Sequence, residues 1–221
     1  MGMRRFLRDN GLTIVLLAVT ALTLVGHALT GWRTHVADQE DHGEAPITLA
    51  AYLIDPAFLE SVAENWESEF LQMAAFVALT IFLFQKGSPE SKDPDEHDEV
   101  DDHPRTHPIP ADAPRVVHTG GWRLKLYENS LTIALLALFA ISFGLHAWSS
   151  QRHANDERAD HGDPPVALIE HLGSARFWFE SFQNWQSEFL SIAVLVVFTI
   201  YLRQRGSSQS KPVAAPHHEN E

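Results

Sequence analysis

Two stretches of the chain lack charged side chains for long enough to cross a lipid bilayer. Gly11–Gly31 and Asn129–Ser150 each run for about 20 residues without Asp, Glu, Lys or Arg, the length that spans a hydrocarbon core of about 30 Å. Shorter apolar blocks lie at Phe70–Gln85 and Phe189–Leu202. The sequence therefore predicts an all-α polytopic membrane protein with four transmembrane helices.

An internal repeat relates these blocks to one another. A shift of about 119 positions aligns Arg5–Lys92 with Leu124–Lys211 without a gap, and roughly 40% of the aligned residues are identical. The motif NWESEFL at Asn65 returns as NWQSEFL at Asn184. The match predicts two copies of one two-helix unit, at residues 1–86 and 122–206.

The segments outside the two copies differ sharply in composition. Residues 87–121 are rich in Pro and acidic residues and contain few large apolar residues, which predicts a disordered cytoplasmic linker. Residues 207–221 have a similar composition and predict a disordered tail. The formal net charge is -13 and no basic stripe is present, so nucleic acid is not an expected partner. The absence of cysteine excludes disulfides and thiolate ligands.

The distribution of basic residues predicts the orientation of the spans. Roughly 12 of the 16 Lys and Arg residues lie in the N-terminus, the linker and the tail, and the loops between paired spans hold few. Basic residues beside spans are retained in the cytoplasm, so both termini are predicted to be cytoplasmic and the two repeats parallel. The basic N-terminus resembles a signal peptide, but the internal copy at Asn129 indicates a retained span.

The loops outside the membrane are predicted to contain short amphipathic helices, the first within Ile47–Ile54. Asp55 and Ser174 are in position to cap the two returning helices, which are expected to run for about 30 residues. Trp66, Trp178 and Trp185 suit the interfacial aromatic belt.

Two histidines and two glutamates are predicted to lie at one depth in the membrane. At 1.5 Å per residue, Glu69 lies about 24 Å and His27 about 22 Å from the inner ends of their spans. An asparagine four residues before each glutamate extends the polar face. The candidate polar intramembrane site comprises His27, Glu69, His146, Glu188, Asn65 and Asn184.

Three hypotheses follow for this site. Its hydrogen bonds could hold the helices together, as in a structural or interaction component. It could form an ion, proton or small-solute pathway, completed by an oligomer. It could also bind a metal or haem, with His27, His146, Glu69 and Glu188 as ligands. No motif for a hydrolase, a nucleotide-binding loop or a kinase is present, so neither catalytic residues nor a cofactor are predicted.

The chain resembles an uncharacterised family of small bacterial four-span membrane proteins, a domain of unknown function. The resemblance rests on RRFLRDNGL at Arg4, NWESEFLQM at Asn65, SKDPDE at Ser91, FWFESFQNWQSEFL at Phe177 and LRQRGSSQSKPV at Leu202. It implies a location in the bacterial plasma membrane and brings no known ligand or activity. The sequence thus predicts a structural or interaction component of the bacterial envelope, whose partners are the lipid bilayer and a second copy or another membrane protein.

Overall fold

The apolar runs fold as long helices. A computed structural model describes residues 2–105 and 108–220, and within these ranges the chain contains helices and loops but no strand. His107 and Thr106, which belong to the predicted linker, lie outside the described residues. The α-helices are α1 (Met3–Asp9), α2 (Gly11–Asp41), α3 (Leu49–Tyr52), α4 (Pro56–Leu79), α5 (Arg115–Thr119), α6 (Gly121–Glu128), α7 (Ser130–Asp160), α8 (Leu168–Leu172) and α9 (Ala175–Tyr201).

Three of the described helices, α2, α7 and α9, are long and apolar enough to cross a membrane. Their apolar side chains are largely exposed, and Leu12, Leu17 and Leu22 of α2 are examples. Such a surface is unfavourable in water and is stable against lipid tails. The helices are therefore consistent with a membrane protein.

The fourth predicted span is represented by α4, which is long enough to cross a membrane but is not among the helices that are apolar enough. Its first half carries Glu60, Glu64, Glu67 and Glu69, and the α-helix ends at Leu79, within the apolar block that continues to Gln85. Hydrogen bonds after Leu79 tighten, with the amide of Phe82 donating to the carbonyl of Leu79 at 3.1 Å. This tighter turn ends the helix early.

The two returning helices begin where the sequence predicts. Asp55 Oδ1 accepts a hydrogen bond from the amide of Ala57 at 2.9 Å, and Ser174 Oγ accepts one from Phe177 at 3.2 Å. Both capping predictions are confirmed. The helices are shorter than the expected 30 residues, with 24 in α4 and 27 in α9, because they end at Leu79 and Tyr201, before the predicted apolar blocks end.

The chain divides into two compact units, one formed by Met1–Val62 with Ser149–Pro165 and the other by Ala63–Trp148 with Val166–Glu221. In the first unit, Tyr52 and Phe58 pack on Ala28 of α2. The boundary between the units passes through α4 and α7. The units therefore do not coincide with the two copies of the repeat. The boundaries predicted from the repeat stay a prediction.

In the second unit, the buried ring of Phe177 is the centre of an aromatic cluster. Its neighbours are Phe143, Trp178, His146 and His171, with ring centroids 4.8 to 5.7 Å away. These rings come from α7, α8 and α9. Aromatic pairs in this range stabilise packing beyond their buried area, so the cluster holds these helices around the histidines.

Candidate functional site

The structure places the residues of the predicted site in different environments. His27 is half-buried, and its Nε2 lies 3.1 Å from the hydroxyl of Ser61. Glu69 is exposed and Glu188 is half-buried. Asn184 bonds within its own helix, since its Nδ2 donates to the carbonyl of Glu180 at 3.2 Å. Asn65 is exposed.

His146 is fully buried and lies beside carboxylates other than those predicted. Its Nδ1 is 2.7 Å from Oε2 of Glu67, and its Nε2 is 3.8 Å from Oε2 of Glu180. The face of the imidazole stacks on Phe177, with centroids 4.8 Å apart and an angle of 28° between the planes. An ionised carboxylate only accepts hydrogen bonds, so Nδ1 of His146 donates to Glu67.

Glu67 is the most enclosed member of this group, with an exposed fraction of 0%. Its Oε2 bonds to His146 and its Oε1 accepts a hydrogen bond from the indole Nε1 of Trp185 at 2.8 Å. Both oxygens thus have a partner from another helix, His146 on α7 and Trp185 on α9. A buried carboxylate is tolerated when its oxygens are hydrogen-bonded.

Glu180 connects the buried histidine to the surface. One of its oxygens faces His146, and the other accepts a hydrogen bond from Nε of Arg176 at 3.0 Å, one helical turn earlier. Glu180 is partly exposed, and Arg176 more so. We refer to Trp185, Glu67, His146, Glu180 and Arg176 as the Glu67 network. Donors and acceptors alternate along it, from the half-buried indole of Trp185 to the exposed guanidinium of Arg176.

The repeat builds a related arrangement in the first copy, with a serine at the position of Glu180. His27 corresponds to His146, and Ser61, which contacts His27, corresponds to Glu180. The ring of Phe58 lies 5.4 Å from that of His27, as Phe177 lies near His146. The histidine and its phenylalanine neighbour thus recur in both copies, and the acidic groups are confined to the second arrangement.

A further acid and imidazole pair lies in the first unit. Nδ1 of His153 is 2.5 Å from Oε2 of Glu60, and its Nε2 is 3.6 Å from Glu157. Glu60 is buried, whereas His153 is half-buried. This pair joins the start of α4 to the last part of α7.

The three predicted interfacial tryptophans differ in their surroundings. Trp66 is 46% exposed. Trp178 is half-buried and its Nε1 donates to the carbonyl of Leu172 at 2.8 Å. Trp185 is half-buried and belongs to the Glu67 network. The twin residues Trp66 and Trp185 therefore have different roles in packing.

The sequence contains a signal for Glu67 that is independent of its depth in the membrane. The positions of α4 that become buried include Glu60, Ala63, Glu67 and Ala74, which recur at the spacing of one helix face. Glu67 is also the position where the doubled motif differs, because its twin is Gln186. Glu69 was predicted instead, because it is identical in the two copies of the motif.

Helices of this length and apolarity, with a buried polar network between them, are those expected of an α-helical membrane protein. A family model described as a domain of unknown function, DUF6766, matches residues 3–221. The chain therefore belongs to this family of uncharacterised proteins. Comparison with curated proteins and with solved structures gives no match.

Proposed function

We propose that this chain is a structural or interaction component of the bacterial plasma membrane. It crosses the bilayer four times as two parallel two-helix repeats, with both termini in the cytoplasm. The Glu67 network fixes the packing of its returning helices. The bilayer is its first partner, and a second copy or another membrane protein is the second.

The observation that carries this proposal is the double hydrogen bonding of Glu67. A carboxylate that is fully withdrawn from solvent is strongly destabilising unless both oxygens are bonded. Here His146 and Trp185 supply those bonds from two other helices. A satisfied polar network of this kind rigidifies a core and selects one arrangement of helices.

The helix boundaries support four spans in two repeats. Both α2 and α7 have 31 residues, and their first residues, Gly11 and Ser130, are equivalent in the repeat. The starts of α4 and α9, Pro56 and Ala175, are equivalent as well. Because both termini are proposed to lie on the same side, the chain must cross the membrane an even number of times. If α2 and α7 are spans, α4 must then cross together with α9. The apolar residues that follow α4 would extend it to the inner surface.

Accessibility of single tags tests this topology. A tag after Asp95 in the linker and a tag at the N-terminus are expected to be protected in intact bacteria, while a tag after Gly43 is expected to be labelled. A linker tag that is labelled from outside would contradict the parallel repeats. A tag after Gly162 serves as the matched control, because the second repeat predicts the same outcome as for Gly43.

A second candidate function is a proton pathway, and the position of His146 favours it. The imidazole lies between a buried carboxylate and Glu180, which extends toward solvent. Imidazole and carboxylate groups in membranes relay protons in this kind of arrangement.

Proteoliposomes that contain a pH-sensitive dye separate the two candidates. The structural proposal predicts that an imposed pH gradient decays no faster than in empty vesicles. Rapid decay that is abolished by Glu67→Gln and by His146→Gln would support the pathway and contradict a purely structural role.

A metal or haem site has less support from the geometry. His146 uses Nδ1 for Glu67, and Glu69 is exposed. Elemental analysis and a visible spectrum of the purified protein test this hypothesis. A stoichiometric metal or a haem absorption band would overturn our preference for the structural role.

A further inference from the structure

The segment that follows α4 forms a closed loop with an internal hydrogen bond. We refer to Gln85–Lys92 as the receiving loop. Its first amide, that of Gln85, donates to the hydroxyl of Ser91 at 2.8 Å, and Gly87 has a φ of +88°. The equivalent loop of the second copy, Gln204–Lys211, closes in the same way, with a 2.8 Å bond from its first amide to a serine hydroxyl. The shared sequence GSxxSK thus encodes one loop shape.

The side chain of Asn220 fits the receiving loop through both ends of its carboxamide. Its Oδ1 accepts a hydrogen bond from the amide of Gly87 at 2.6 Å. Its Nδ2 donates to the carbonyls of Ser91 at 2.7 Å and Lys92 at 3.0 Å, and more weakly to that of Gln85 at 3.4 Å. Asn220 is only 7% exposed. A carboxamide provides one acceptor and two donors, which is the pattern that this loop requires.

Backbone packing adds a steric requirement at the same place. A Cβ atom on Gly87 would lie 2.2 Å from the carbonyl oxygen of His217. Because that neighbour is backbone, it cannot turn away as a side chain could. Gly87 is therefore needed both for its left-handed conformation and for the close approach of the segment that carries Asn220.

Lys211 of the second loop holds the segment Pro216–Asn220 in its conformation. Lys211 is 2% exposed, and its Nζ donates to the carbonyls of Pro216, His217 and Glu219 at 3.0, 3.2 and 2.7 Å. His217 in turn donates from Nδ1 to the carbonyl of Ile200 at 3.0 Å. These bonds fold the segment into a compact turn, which presents Asn220 to the first copy.

We propose that the receiving loop is an intramolecular docking site for the segment Pro216–Asn220, with Asn220 as the anchor. The two equivalent GSxxSK loops then have different roles, since Lys211 of the second organises the segment and the first receives it. The docked segment connects the inner ends of α4 and α9. A side-chain bond between the hydroxyls of Ser88 and Thr199, at 3.0 Å, reinforces the same connection.

Hydrogen exchange of the full-length protein in detergent tests this docking. Asn220→Asp keeps the shape of the side chain but directs an anionic oxygen at three carbonyls. We expect amide exchange in peptides covering residues 85–92 to accelerate about tenfold or more, with helix content unchanged. His218→Ala is the control, because His218 is exposed and is expected to leave exchange unaltered. Equal exchange in the wild-type protein and in Asn220→Asp would overturn the proposal.

A second pair of variants tests the receiving side. Gly87→Ala and Gly206→Ala impose the same strain, since both glycines have a φ near +88°. A Cβ at Gly206 meets nothing within 4 Å, whereas one at Gly87 meets His217. Gly87→Ala is expected to expose residues 211–220 to protease, and Gly206→Ala to do so less. Equal protection of this segment in both variants would contradict docking at Gly87.

Discussion

Trp185 donates from its indole Nε1 to Oε1 of Glu67 at 2.8 Å, so the second copy of the doubled motif contacts the first. The relation is one-sided. The twin of Trp185 is Trp66, which is largely exposed, and the twin of Glu67 is Gln186, which is also exposed. The sequence contains two similar motifs, and the buried acid lies in one of them only.

Replacement of Glu67 by alanine should be strongly destabilising. It removes a hydrogen-bond partner from both His146 and Trp185, and breaking a buried pair by removing one partner costs about 3–5 kcal/mol in soluble proteins. We expect a clear fall in the midpoint of thermal unfolding in detergent, followed by circular dichroism. Gln186→Ala is the matched control, because this twin position is exposed and its loss should change the midpoint little. Similar midpoints for the two variants would show that Glu67 does not hold the helices.

Replacement of Trp185 by phenylalanine isolates the indole hydrogen bond. The aromatic ring is retained, so the loss comes from the unpaired Oε1 of Glu67 and is expected to be about 1–3 kcal/mol. Trp66→Phe, at the exposed twin position, should have a much smaller effect. Chemical unfolding monitored by the remaining tryptophan fluorescence provides the comparison. A larger loss for Trp66→Phe would contradict this assignment.

Alanine at Gly31 should destabilise the first unit although alanine favours helices. A Cβ there would lie 2.4 Å from the hydroxyl of Tyr52, whose ring is buried beside His35 and Phe58. Overpacking of this kind costs about 1–3 kcal/mol. A Cβ at Gly26, in the same helix, meets nothing within 4 Å.

The control for this prediction has the opposite expected sign. Gly26→Ala should be neutral or stabilising by up to about 1 kcal/mol, since glycine is the poorer helix former. Thermal unfolding of both variants measures the difference. Stabilisation by both substitutions would mean that Tyr52 moves aside without cost.

The hydroxyl of Tyr52 should lose its proton at a higher pH than an ordinary tyrosine. Burial raises the pKa of Tyr52 above 10.0, and the charge of Asp55 raises it further. A raised pKa in the folded state stabilises the protein fully below pH 10.0, and this stabilisation is lost as the pH rises through the higher value. Ultraviolet absorbance of the phenolate, compared with Tyr52→Phe, should show one component that titrates above the others. A Tyr52 component that titrates at its ordinary pKa would contradict this prediction.

Local features could be predicted from the sequence, and features that depend on a neighbouring helix could not. The caps at Asp55 and Ser174 involve residues two or three positions away, so composition and spacing suffice to locate them. The position of a residue along its helix also follows from helix rise. Its direction around the helix does not, and two residues such as Glu67 and Glu69 point about 200° apart. Burial of Glu67 depends on His146 and Trp185, which are far away in sequence.

The ends of the returning helices show the same limit. Gly87 and Gly206 were natural candidates for helix stops, and both have positive φ. The helices end earlier, at Leu79 and Tyr201, because the glycines belong to the two GSxxSK loops. Those loops are stabilised by serine hydroxyls several residues further on, a bond that apolar periodicity does not reveal.

The contact between Gly87 and Asn220 joins residues that are 133 positions apart. During synthesis, the receiving loop therefore emerges from the ribosome long before its occupant exists. The loop must stay vacant until Asn220 has been made, so the ends of α4 and α9 can be connected through this contact only then. Docking of Asn220 is thus a late step of folding, and an intermediate arrested before it would leave the loop without its occupant.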